Sequence, residues 1–138
     1  MFRSFVFAAV ALACTATHAS PTESARRHIQ AIAANDVAVL STMYDDSAIL
    51  EWVGGPLDGR YMGREAIRGV WERFAAANGK LDVLIARLDE QANPKGATVV
   101  ADTRYRGKAQ LKIRHSVTLR EGRIVTETWQ IAPDMKFE

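Results

Sequence analysis

Thiol chemistry has almost no material in this chain. Cys14 is the sole cysteine, which excludes an internal disulfide framework and a zinc–thiolate cluster. Long hydrophobic runs are equally scarce: the longest, Phe5 to Ala13, is about nine residues, against the roughly twenty that cross a bilayer as a helix. Charge of one sign never accumulates either. The 18 Lys and Arg residues are interspersed with 16 Asp and Glu, for a net charge of +2, a balance that argues against a nucleic-acid partner. There is no Gly-rich phosphate loop in strand–turn–helix context, no Gly-x-Ser-x-Gly elbow and no His-Glu-x-x-His segment, so nucleotide, serine-hydrolase and zincin chemistries lack their sequence basis.

What is present begins with an export signal. Met1-Phe2-Arg3 is a short cationic start, Phe5 to Ala13 is the apolar run, and Thr17-His18-Ala19 places small residues at both cleavage-determining positions. The expected division is therefore a signal peptide over 1–19 and a single domain over 20–138, with a periplasmic or secreted location. Cleavage after Ala19 also removes Cys14 and its thiol. A competing reading makes Cys14 a lipid attachment site, since Leu12-Ala13 precede it and Thr15 to Glu23 would form a tether; Ala11, standing where a leucine is expected, weighs against it. Without that lipid no membrane contact is expected.

The remaining 119 positions, 20–138, suit one domain. Glu23 to Ala34 reads as a helix with Ala25, Ile29 and Ile32 on one face, broken by Asn35-Asp36; Val37 to Tyr44 reads as a second. Asp45-Asp46-Ser47 ends that pattern and Ala48 to Val53 reads as a strand, followed by a Gly54-Gly55-Pro56 turn and a loop to Gly63. Arg64 to Asn78 carries Ile67, Val70, Trp71 and Phe74 at i, i+3, i+4 and i+7, an amphipathic helix whose Trp71 and Phe74 belong to the core. The period then changes: Leu81 to Ala92, Thr98 to Arg106, Lys108 to Arg120 and Arg123 to Ala132 favour strands joined by turns. Helices in front and a strand meander behind predict an α+β domain with helices on one face of an antiparallel sheet.

Three segments in this order, Met43-Tyr44-Asp45-Asp46-Ser47-Ala48-Ile49-Leu50-Glu51-Trp52, Gly59-Arg60-Tyr61-Met62-Gly63-Arg64-Glu65-Ala66-Ile67 and Gly122-Arg123-Ile124-Val125, resemble the NTF2-like superfamily and its SnoaL-like branch over roughly residues 24 to 132. The resemblance implies a cone-shaped fold: a curved antiparallel sheet wrapped round a long helix with two further N-terminal helices, a cavity at the wide end, and frequent homodimers. The superfamily spans isomerases, hydrolases, cyclases, dehydratases and assembly domains, so the fold cannot choose among them. Its ketosteroid isomerases use a base aspartate and a tyrosine with a protonated aspartate as oxyanion hole. In this chain the place of the base falls on Trp52, that of the tyrosine on His28, and that of the second aspartate near Lys112. Tryptophan takes up no proton and lysine does not stand in for a neutral carboxylic acid, so that mechanism is disfavoured.

Other residues carry the expectations. Strand 108–120 alternates, putting Leu111, Ile113, His115, Val117 and Leu119 on one side. A three-residue Arg120-Glu121-Gly122 loop sets Val117 opposite Val125, His115 opposite Glu127 and Ile113 opposite Trp129. His115 and Glu127 are then a candidate catalytic acid/base pair, or a mutually satisfied structural pair. His28, Tyr44, Trp52, Tyr105 and Trp129 are candidate ligand-binding residues, with core packing as the alternative for the aromatics and exposure beside Arg26-Arg27 for His28. Arg60 and Arg64 are candidates for holding an anion, or ordinary surface residues. Asp45-Asp46 reads as a turn, so no metal is expected, and no cofactor. Three functions follow: a binding domain for a small apolar or aromatic molecule, a cofactor-independent enzyme using His115 and Glu127, or a structural dimer whose cavity its own aromatics fill.

Overall fold

A computed structural model describes residues 19–137; the expected cleavage signal up to His18, and Cys14 with it, lie outside the described residues. Helix α1, Pro21–Ala33, starts two residues earlier than the periodicity suggested, because Ser20 caps it by accepting from the Glu23 N–H and Pro21 occupies the first turn, where a missing N–H costs nothing. The amide and hydroxyl of Thr22 both donate to Glu90, fixing that end of α1 to strand β3, Asp82–Asn93. Asn35, in the left-handed region at φ 57°, turns the chain into α2, Val37–Met43, which Asp36 caps. Helix α3, Arg64–Asn78, lies between Gly63 and Gly79, both at positive φ, and buries the predicted face of Ile67, Val70, Trp71 and Phe74.

Strand β1 is longer than expected. It runs Tyr44–Val53, and Asp45-Asp46-Ser47 lie inside it as an irregularity between Tyr44 and Ile49 rather than as a turn before it. Arg64 holds that irregularity, donating from Nε and Nη2 to the Tyr44 carbonyl (3.2 and 2.7 Å) and pairing through Nη1 with Asp46 at 2.8 Å. The segment read as loop before Gly63 contains a short edge strand, β2, Gly59–Met62, paired antiparallel with β1. Strands β4 (Gly96–Arg106), β5 (Gln110–Arg120) and β6 (Arg123–Ile131) continue the meander from β3.

The sheet order is β2-β1-β6-β5-β4-β3. The expected α+β cone is therefore present, with one correction: β1 joins β6 in parallel, so the sheet is mixed rather than wholly antiparallel. The chain leaves β1 at one side of the sheet and returns beside it only at its last strand, after α3 and the β3–β5 meander; such a long connection permits a parallel pair. Helix α1 packs on β3 and β4, and α3 on β1.

The β5–β6 hairpin decides which side chains meet inside. Its loop has two residues, Glu121 (φ 51°) and Gly122 (φ 75°), with Arg120 opposite Arg123, the doubly left-handed turn that suits the strand twist. A bulge then leaves Val125 unpaired between Ile124 (opposite Leu119) and Thr126 (opposite Thr118). Each feature moves the register by one, so Val117 faces Glu127, His115 faces Trp129 and Ile113 faces Ile131, two positions from expectation. Because side chains alternate with period two, a displacement of two keeps the same face, and His115 and Glu127 still both point inward.

Candidate functional site

Glu127 sits on β6 with 1% of its surface exposed, and the neighbouring elements each supply it a polar group. From α1, His28 Nε2 lies 2.6 Å from Oε2. From the start of β1, the Tyr44 hydroxyl donates to Oε1 at 2.5 Å, and Trp71 of α3 donates its indole N–H to the same hydroxyl at 2.9 Å. From β5, His115 Nδ1 approaches Oε2 to 3.6 Å, and its Nε2 shares a 3.0 Å hydrogen bond with the Tyr105 hydroxyl. A proton on His115 Nδ1, facing the carboxylate, leaves Nε2 to accept from Tyr105. Both histidines, Tyr44 and Tyr105 are buried.

A carboxylate taken out of water is costly unless compensated. Burial pushes the Glu127 pKa up, but attraction to His28 and the contacts of both histidines outweigh it and hold the group well below the ordinary 4.5. Burial pulls His115 below its ordinary 6.5, against the partial opposition of Glu127. Tyr44 is raised, by burial first and then by the Glu127 charge, and so remains a donor. Both lowered groups bind fewer protons folded than unfolded, so stability rises with pH across their windows. The His115 contribution is complete above about 6.5 and is lost as pH falls from there through its lowered folded value; the Glu127 contribution is complete above about 4.5 and is lost below it. Urea unfolding between about pH 8 and 4 is expected to show stability declining from near 6.5 downward, with the upper part of that decline removed in His115→Gln. A flat profile down to pH 5 would refute this coupling.

Trp129 closes the cluster on one side. Its indole meets the His115 ring edge-to-face at 4.8 Å and stacks between Tyr105 (5.5 Å) and Trp52 (4.8 Å), with Trp71 and Phe74 against it. Beyond it lies a cavity of about 230 Å³ lined by Trp52, Phe74, Leu57 and Leu111, with Trp129 at its base and Arg73 and Asn78 as its polar groups. A larger hollow of about 440 Å³ lies beside Ala19 and the β3–β4 turn, holds no aromatic or histidine, and is remote from this chemistry. The profile of the SnoaL-like domain matches residues 25–127. The chain belongs to the SnoaL-like family. Similar solved structures include an NTF-2-like protein of unknown function from Burkholderia xenovorans (21% identity, 84% of this chain and 85% of that one, TM-score 0.63). Another such protein, from Pseudomonas putida, gives 20% identity over 83% and 85% with TM-score 0.69. A ketosteroid isomerase-like protein from Erwinia carotovora atroseptica gives 15% over 80% and 93% with TM-score 0.64. At these identities the likeness concerns the fold. No curated protein matches the chain.

In this SnoaL-like domain the seven residues singled out from sequence divide into two groups. His28, Tyr44, Tyr105, His115 and Glu127 converge on the buried network, while Trp52 and Trp129 line the cavity. His28 is fully buried despite Arg26-Arg27 beside it and is the nearer histidine to Glu127, so the expected His115–Glu127 pair is one part of a larger cluster. Glu127 spends its oxygens on Tyr44 and His28, and among the described residues no group of three or more acidic, histidine or cysteine side chains is disposed to hold a metal. Lys112 lies on the outer side of β5 over the Phe137 ring, away from the network. Arg60 pairs through Nε with Glu51 on the surface, and Arg64 is taken up by Tyr44 and Asp46. Sequence reasoning missed Trp71 as a hydrogen-bond donor, since its helical position marked it as core, and it missed Leu57, Arg73 and Leu111, which come together only through the fold.

Proposed function

We propose that this SnoaL-like domain binds one small apolar or aromatic molecule in the cavity before Trp52 and Trp129. One observation carries the reading: an apolar hollow with two stacked indoles at its wall, separated from a polar network whose groups largely satisfy one another. At about 230 Å³ the hollow lies below the roughly 300–1,000 Å³ of drug-sized sites, which favours a ligand of one ring or two fused rings. His28, Tyr44, Tyr105, His115 and Glu127 then act from behind, keeping Trp129 in place. The domain works as a homodimer in the periplasm or outside the cell after loss of 1–19; this part of the proposal rests on the signal-like N-terminus and on the resemblance.

Calorimetric titration with 2-naphthol is expected to give saturable binding of one molecule per chain. Ala77→Phe, on the exposed side of α3 lining the cavity, is expected to weaken it at least about tenfold, or ~1.4 kcal/mol. Absence of binding, or binding indifferent to Ala77→Phe, would refute the site. A second reading, an enzyme using His115 with Glu127, is favoured by the Tyr105–His115–Glu127 chain lying directly beneath Trp129. It requires Trp129 to move aside before any substrate reaches those atoms.

A further inference from the structure

We propose that the ligand of this cavity carries a single anionic group, a carboxylate on an aromatic or cyclic body, held at the rim by Arg73. This rests on the binding reading above and names the class of molecule it takes. The arginines around Arg73 are committed elsewhere: Arg60 to Glu51, Arg64 to Asp46 and Arg68 to Glu72. Arg73 alone of these four has no hydrogen bond or carboxylate partner among the described residues, and it is exposed while lining the cavity. Its guanidinium stands 5.6 Å over the Tyr61 ring, a cation–π contact that commits none of its N–H groups to a hydrogen-bond acceptor. Tyr61 is itself anchored, its hydroxyl donating to the Leu57 carbonyl at 2.7 Å.

The other polar group at the cavity points the same way. Asn78 spends its amide N–H on the Phe74 carbonyl at 3.0 Å, so Arg73 is the rim's donor fork. The site thus offers the Arg73 donor fork and an apolar wall, which suits an acid with a flat ring, and the charge of Arg73 repels an ammonium group. The carbonyl end of α3, near Asn78, opposes an anion weakly, and a bidentate guanidinium–carboxylate pair exceeds that opposition.

The test compares 2-naphthoate with neutral 2-naphthalenemethanol by calorimetry on the mature protein. At low ionic strength 2-naphthoate is expected to bind about fivefold tighter, as for a rim-exposed charge pair. The preference shrinks at about 0.5 M salt, vanishes in Arg73→Gln and returns in part in Arg73→Lys. Equal binding of both probes overturns the anionic ligand, and a preference that survives Arg73→Gln overturns Arg73 as the group that holds it, while either leaves the cavity reading intact. Binding of neither probe overturns both.

Discussion

Glu127→Ala is expected to destabilise the protein by about 3–5 kcal/mol, the cost of taking the shared acceptor out of a buried polar network and leaving its donors unsatisfied at roughly 1–3 kcal/mol each. Two groups lose their acceptor at once, the His28 ring nitrogen at 2.6 Å and the Tyr44 hydroxyl at 2.5 Å, and His115 loses the carboxylate that stands 3.6 Å from its Nδ1. None has water to turn to, since Tyr44 is 1% exposed and both histidines 0%. Trp71 is drawn in as well, because the hydroxyl it donates to is the one left without an acceptor. Glu127→Gln keeps a carbonyl for Tyr44 and removes the charge, so its loss is smaller, about 1–3 kcal/mol. Replacing the network together, as in Glu127→Leu with His28→Leu and Tyr44→Phe, removes the carboxylate and its two hydrogen-bonded partners at once, leaves the Trp71 indole N–H without its acceptor, and is expected to recover only part of the loss of Glu127→Ala. Urea unfolding near pH 7 measures all three. A loss below about 1 kcal/mol for Glu127→Ala would mean that the cluster opens to water readily and that Glu127 is not held as the geometry suggests.

The elements with strong period were legible in the sequence. Arg64–Asn78 was delimited by its apolar spacing and the Gly63 and Gly79 flanks, and the alternation along β5 already put His115 inward. Where the reading failed, the cause was local backbone conformation that side-chain identity does not advertise. Glu121 at φ 51° is an uncommon conformation for a non-glycine residue, so a three-residue loop seemed the natural use of Gly122. The Val125 bulge has no glycine or other turn residue of its own to mark it. These two displacements add rather than cancel, and the inward face survives because their sum is even. β2 is four residues long, too short for a periodic signal beside two glycine turns. The Asp45-Asp46 pair reads as a helix stop, and the irregular start of β1 is held instead by Arg64, twenty positions from Tyr44. His28 is the instructive case. Its neighbours Arg26 and Arg27 suggest solvent, yet one helical position decides burial, and only the partner on β6, 99 positions away, makes that burial tolerable.

Trp129→Ala is expected to cost about 3–5 kcal/mol and to convert the sealed network into an accessible one. The indole has aromatic neighbours on every side, with centroids at 4.8–5.5 Å to Trp52, Trp71, Phe74, Tyr105 and His115, and a close-packed interior does not collapse fully around so large a loss. The void it leaves adjoins the existing cavity of about 230 Å³, and an enlarged apolar hollow takes up small aromatic molecules. Added indole at about ten times its Kd is therefore expected to return ~1.4 kcal/mol to the variant, read as a rise in melting temperature larger than in the unmodified protein. His115 supplies an independent readout. Burial is the first cause of its lowered pKa, so water entering past position 129 is expected to raise its NMR titration midpoint toward 6.5, and indole to lower it again. If neither the melting temperature nor the histidine responds, Trp129 is not the barrier between cavity and network. If both respond, the cavity and the acid/base cluster are one compartment divided by a single side chain, and rotation of that side chain is the step that would let a bound molecule meet His115.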